Sequence, residues 1–210
     1  MSFCHAVATG DVATVRGLLA RGEDPNQLEE GSPPIGWAMS MLSLRRPDTV
    51  RDVFACIELC LDAGALPDGP PTDSRNRRRR PETPLGSAVD QGRPEFVRLL
   101  LSAGADPNVP ADRNGNTILH HACGLWGNRA SGYEIVRLLL AAGADHAAQS
   151  NPPMNETPFG IAVCHAAGDG CHRLYALAAL EVSVGLDPGA ETNPTEADLS
   201  DSEGTSGSEG

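Results

Sequence analysis

Lysine is absent from the chain: all 16 basic residues are arginine. Together with abundant Gly, Ala and Pro this is most simply the coding bias of a GC-rich genome. The sharper consequence is that no side-chain amine is open to acylation or ubiquitin-type conjugation. Aromatic residues make up only 4% of a chain that is 40% hydrophobic, so large rings cannot anchor the core and small aliphatic packing is expected. No apolar run approaches the roughly 18 residues of a membrane span, and the N-terminus lacks the charged start and apolar core of a secretory leader. A cytoplasmic location is expected, or a nuclear one if the source is eukaryotic or viral, with no membrane partner. Neither a phosphate-cradling Gly-Lys-Ser/Thr loop nor a dinucleotide glycine fingerprint after a strand occurs, so nucleotide chemistry has no foothold and no cofactor is expected.

Positive charge is also in short supply. The net charge of -12 argues against a general nucleic-acid or anionic-membrane surface and suits a soluble protein that meets a basic or neutral partner. Six cysteines, Cys4, Cys56, Cys60, Cys123, Cys164 and Cys171, are scattered through a chain too long and regular for a disulfide mini-scaffold. Reduced thiols are expected, several of them acting as small buried hydrophobes.

What the chain has is repetition. "LLLSAGADPN" from Leu99 returns as "LLLAAGADHA" from Leu138, "LCLDAGALPD" from Leu59 and "LLARGEDPN" from Leu18. The glycines ending these apolar runs, Gly22, Gly64, Gly104, Gly143 and the weaker Gly185, recur at roughly 40 residues, within the range of solenoid repeats. Each is placed to close a helix in the left-handed conformation. Upstream stands a second phrase: "TPLGSAV" from Thr83, "TILHHAC" from Thr117, "TPFGIAV" from Thr157 and the degenerate "PPIGWAM" from Pro33. A threonine oxygen can cap the first turn, and proline at the next position presets φ without losing a hydrogen bond, so each phrase predicts a helix start. In the cleanest copy the short helix breaks near "DQGRPE". A second follows, with Val97, Leu100 and Leu101 on one face and Phe96 with Leu99 widening it, as expected where neighbours press from both sides. Two short helices cannot bury their own apolar faces, whereas a stack of such pairs can.

The order Thr-Pro-Leu, short helix, Gly, second helix with Leu-Leu-Leu, then Gly-Ala-Asp-Pro-Asn, closest from Thr83 to Asn108, resembles the ankyrin repeat. The resemblance implies an all-α solenoid of about five helix-turn-helix units, at about 2–26, 31–68, 78–110, 112–147 and 152–189, followed by a tail over 190–210. Phe3, Ala6, Gly10, Val15, Leu18, Leu19 and Gly22 place the first unit, which begins directly at its first helix and reads as a cap. The segments "SLRRPDTVRD" and "GLWGNRASGY" are expected to lengthen the links between paired helices, and "PPTDSRNRRRRPE" the loop before the third unit. The histidine that the family often places three residues after Thr appears only as His120; Gly36, Gly86 and Gly160 stand there in other units, which predicts uneven stability along the stack.

After Gly189 the sequence holds six carboxylates, no basic residue and almost nothing apolar, so a disordered acidic tail is expected. Thr195, Ser200 and Ser206 each have an acidic residue three places on, the pattern an acidophilic kinase favours. Arg77 to Arg80 form the only basic cluster; a nuclear import signal or an anion grip competes there with a plain solvated loop. Cys164 and His165 with Cys171 and His172 match no familiar zinc spacing, and Cys56 with Cys60 fits core packing better than ligation. His120 and Cys123 sit at i and i+3, which a repeat helix supplies by default, so no catalytic pair and no metal site are expected.

The resemblance implies a monomeric, non-catalytic module that binds a protein partner, with nucleic acid unfavoured. The partner would lie along the concave surface of finger tips and inner helices: Met41, Arg79, Arg80, Glu82, Asp90, Gln91, Arg113, Asn114, Asn116, Leu125, Glu156 and His165. Trp126, in a long loop, is a possible anchor on another face. Alternative readings are an inhibitor or immunity-type protein neutralising a basic toxin or enzyme, a substrate adaptor, and, more remotely, a metal-dependent enzyme on a repeat scaffold.

Overall fold

The computed structural model describes residues 2–42, 47–69, 83–111, 114–123, 129–152 and 155–165. Among the described residues there are nine helices and no strand: α1 (Phe3–Thr9), α2 (Val12–Ala20), α3 (Pro34–Leu42), α4 (Pro47–Asp62), α5 (Pro84–Asp90), α6 (Pro94–Ser102), α7 (Ile118–Cys123), α8 (Arg129–Ala141) and α9 (Pro158–His165). The odd-numbered helices form one row, α1 on α3, α3 on α5, α5 on α7 and α7 on α9. The even-numbered helices lie outside them, with α2 packed on α4 and α6 on α8. Each inner helix and the outer helix after it make one unit of a stack.

Local chemistry starts and stops these helices where the repeated phrases predict. The Thr83 hydroxyl accepts from the Gly86 amide at 3.1 Å and the Thr157 hydroxyl from the Gly160 amide at 3.1 Å, so an otherwise free first-turn donor is satisfied in each. At the far ends of α2, α4, α6 and α8 the same closure recurs. The amides of Glu23, Ala65, Ala105 and Ala144 bond back to the carbonyls of Leu18, Cys60, Leu100 and Leu139, across Gly22, Gly64, Gly104 and Gly143 at φ 85 to 91°. That is a left-handed closure which a Cβ would oppose. Ala65, Ala105 and Ala144 are buried behind it, so each turn is also an anchor.

The paired helices differ in length from the sequence expectation. The stretches expected as longer links are partly helical: α4 starts at Pro47 and α8 at Arg129, giving 16 and 13 residues against 9 for α6. Proline suits a first helical position because its missing donor would be unpaired there anyway. The added turn of α4 also has a surface to rest on, since Asp52 and Val53 pack against the end of α1. Helical extension therefore satisfies backbone groups that a loop would leave to water.

The core is aliphatic, as the shortage of rings requires. Ile35, Met39, Leu42, Ile57, Leu85, Leu100, Ile118, Leu119, Ile135 and Leu139 are fully enclosed. Two rings meet within it, Phe54 of α4 edge-on to Phe96 of α6 with centroids 5.2 Å apart. Cys4, Cys56, Cys60 and Cys123 fill small gaps in this core as free thiols. Burial pushes all four thiols up to about 12, so thiolate is scarce at neutral pH. Iodoacetamide at pH 7.5 should leave these four unmodified in the folded protein and label them rapidly in 6 M guanidinium, as peptide mass spectrometry would read. Labelling of any of the four at the folded protein's rate of a free thiol would contradict the packing.

The second helix expected for the fifth unit, the acidic tail, the arginine loop and Trp126 lie outside the described residues. Among the described residues no helix is long and apolar enough to cross a membrane.

Candidate partner-binding face

Two kinds of element supply the face expected to bind: the ends of the inner helices and the tight turns that precede them. The first such turn is built by Glu30 at φ 52° and Gly31 at φ 82°, closed by paired backbone bonds between Glu29 and Ser32. Two left-handed residues in succession give the mirror-image turn whose twist suits a narrow hairpin. The turn before α7 is bridged between Pro110 and Thr117. The next turn leans on it through the Asn151 amide, which donates to the Asn114 carbonyl. Gly115 lies under that contact, where a Cβ would meet the Asn151 side chain at 2.8 Å.

Of the residues expected to line the face, Asp90 and Asn114 are exposed, while Met41, Gln91, Asn116 and Glu156 are half-buried. Met41 packs on the core from α3. Asp90, last in α5, reaches the neighbouring unit, its Oδ1 lying 3.0 Å from Nδ1 of His121 in α7. Water screens a pair this exposed, so it orients more than it stabilises. Gln91 reaches the other way: its Nε2 donates to the Met39 carbonyl at 2.7 Å, while its Oε1 is buried without a partner among the described residues. The Asn116 carbonyl accepts from the Ala111 amide and helps close its turn. Arg79, Arg80, Glu82, Arg113 and Leu125 lie outside the described residues, as does the side chain of His165, which ends α9.

Glu156 is held through its backbone. Its amide donates to the Ser150 hydroxyl at 2.9 Å, and its carbonyl accepts from the Ser150 amide at 2.9 Å and faces Nε2 of His120 at 3.0 Å. His120 is 2% exposed. Its Nδ1 accepts from the Thr117 amide at 2.9 Å, which places the ring proton on Nε2 and makes that atom the donor to Glu156. One imidazole thus ties the start of α7 to the next turn. Both its nitrogens are occupied by these bonds, and the Cys123 thiol three residues on is held protonated by burial, so the two do not form a nucleophile and base. Among the described residues no three His, Cys, Asp or Glu side chains gather as a metal would need. Cys171 and His172 lie outside the described residues.

Sequence reasoning placed Asp90 and Gln91 on the face but missed what they hold. His121, the second histidine of "ILHHAC", was overshadowed by its neighbour. The repeat register carried the signal: His121 stands one place past the structural His120, where the first helix turns outward. Among the described carboxylates here, Glu30 and Asp90 are exposed and Glu29 and Glu156 half-buried.

A family model described as ankyrin repeats matches residues 51–150 with three copies, a span running from within α4 to the buried Ser150. No curated protein matches the chain.

Proposed function

The chain is an ankyrin-repeat protein, a kind whose repeats generally serve as protein-protein interaction modules, and on that premise we propose that it is a non-catalytic module holding one protein partner along its turns and inner helices. The contact strip runs from Met41 through Asp90 and Gln91 to Asn114, Asn116 and Glu156. Arg79, Arg80, Glu82, Arg113, Leu125 and His165 extend it. The observation that carries the reading is the contrast along this strip. Exposed Asp90 and Asn114 stand on elements fixed by buried bonds, the His120 tie and the Gln91 bond to Met39, so their polar groups are held in place before a partner arrives. The chain's charge of -12 favours a partner with a basic surface, which suits the inhibitor or immunity-type variant of the same reading.

The test is a double substitution, Asp90→Arg with Asn114→Arg, in the full chain. Both positions are exposed, so helical circular dichroism should not change, while capture of the partner from a native extract should fall at least tenfold. Gln91 is left intact because its bond to Met39 supports the stack. Capture at wild-type levels by a folded double variant would remove this strip from consideration as the binding site.

A further inference from the structure

The turns after the outer helices are stitched to one another by a repeated side-chain bridge. Asn26, after α2, takes the Leu66 amide on its Oδ1 at 2.8 Å and donates from Nδ2 to the Gly64 carbonyl at 3.0 Å. Asn108, after α6, does the same to the Asp145 amide at 2.7 Å and the Gly143 carbonyl at 3.1 Å. An amide can do this because it carries a donor and an acceptor on one planar group. Between these two, after α4, the equivalent residue is Asp68. One of its oxygens accepts from the Asp106 amide at 3.1 Å, matching the first half of the bridge. The other, Oδ1, stands where asparagine has its donor, and it is buried without a hydrogen-bond partner among the described residues. The carbonyl in register with it is that of Gly104.

We propose that Asp68 makes the joint between the second and third units the break point of the stack, a joint that tightens when its carboxyl takes up a proton and loosens when it ionises. A carboxylate has no hydrogen to offer a carbonyl, whereas the protonated group has one, so protonation completes the bridge that Asn26 and Asn108 make permanently. Other features of this joint point the same way. The outer helices α2 and α4, and α6 and α8, pack closely, but α4 and α6 touch through few residues, Phe54 and Phe96 among them. On the inner side a bond crossing this joint is that of Gln91 to Met39, and among the described residues it too leaves an oxygen buried and unpaired. A stack of units is as cooperative as its weakest interface, so opening here would part α1 to α4 from α5 to α9.

The charged group that acts on Asp68 among the described residues is the Asp106 carboxylate, on the turn after α6. Burial is the largest cause and raises the Asp68 carboxyl above its ordinary range; the bond from the Asp106 amide opposes it, and the Asp106 charge adds to it. Asp62 near the end of α4 and Asp24 on the preceding turn are exposed, and Pro33, the neighbour of the following Gly69, carries no charge. A carboxyl whose folded value is raised binds more protons folded than unfolded. Stability from this site is therefore full below the unfolded value near 3.9 and is lost as pH rises through the raised folded value.

The experiment compares the full-length protein with Asp68→Asn by urea unfolding at pH 7.5 and pH 4.0. Asn108→Asp serves as the converse. Asp11, whose carboxyl accepts from Thr14 and is thereby held low, loses its own contribution as pH falls. Each variant is therefore read against the wild type at the same pH. At pH 7.5 Asp68→Asn should favour the folded state about tenfold, the effect of one added hydrogen bond and one removed half-buried charge, and the gain should shrink by at least half at pH 4.0. Asn108→Asp should lose stability at pH 7.5 and regain part of it at pH 4.0. A gain of equal size at both pH values, no gain, or a destabilised Asp68→Asn would overturn the proposal.

Discussion

Gly10→Ala should destabilise the protein by about 3 kcal/mol, although it adds one methyl group. Gly10 closes α1 at φ 76°, where its amide and that of Asp11 bond back to Val7 and Ala6. An L side chain in that conformation costs roughly 1–2 kcal/mol. The added Cβ would also stand 2.8 Å from the Cβ of Asp52 and 3.1 Å from the Val53 backbone nitrogen. The second neighbour is main chain in the body of α4, which cannot swing aside, so overpacking adds about 1–3 kcal/mol. Gly17→Ala provides the opposite case in the same unit. Gly17 is exposed within α2 and a Cβ there meets nothing within 4 Å, so the change should stabilise by roughly 0.5–1 kcal/mol through lower chain entropy when unfolded. Urea midpoints of the two variants should move in opposite directions. Two shifts of the same sign would mean that α4 does not rest on α1 in this way.

The second large effect is expected at His120. Replacing it by alanine leaves the Glu156 carbonyl with the Ser150 amide alone, strips the Thr117 amide of its acceptor and opens a gap where a fully enclosed ring stood. Each stranded buried group costs about 1–3 kcal/mol. The Thr117 hydroxyl can recover part of this by capping α7 as Thr83 and Thr157 cap theirs. The net loss should be about 2 kcal/mol. Faster hydrogen exchange at the Glu156 and Ser150 amides should accompany it, since their turn loses its tie to α7. A change of less than about 0.5 kcal/mol, the size typical of surface substitutions, would show that the imidazole does not carry this joint.

These two residues differ in how far the sequence reveals them. His120 sits in the repeat register three places after a threonine, so the resemblance singled out the residue, and the structure supplied the two bonds it makes. Gly10 was legible only as a helix-ending residue. Its intolerance of a methyl group depends on the additional turn of α4, which the sequence suggested as a lengthened link. The apolar pattern there could not decide between loop and helix, because a proline followed by polar residues suits either until a neighbouring surface is present to receive the turn. Asp68 is similar. Its place in "LPD", beside the "DPN" of two other units, reads from sequence as a mild change of an amide for an acid. Its cost appears when the missing donor is seen facing inward.

The sequence by itself determined the unit: threonine-proline starts, glycine stops and aliphatic faces act within a few residues of each other, so local chemistry is enough to specify it. It also determined the kind of core, since a chain with so few rings must pack small side chains. Which residues are held across the joints was decided only by the tertiary structure. Asp90 with His121, Gln91 with Met39, and Asp68 short of a donor depend on distances between units some 30 to 50 residues apart. Such distances are fixed by how the stacked helices settle on one another, a collective outcome of packing that no single repeat encodes.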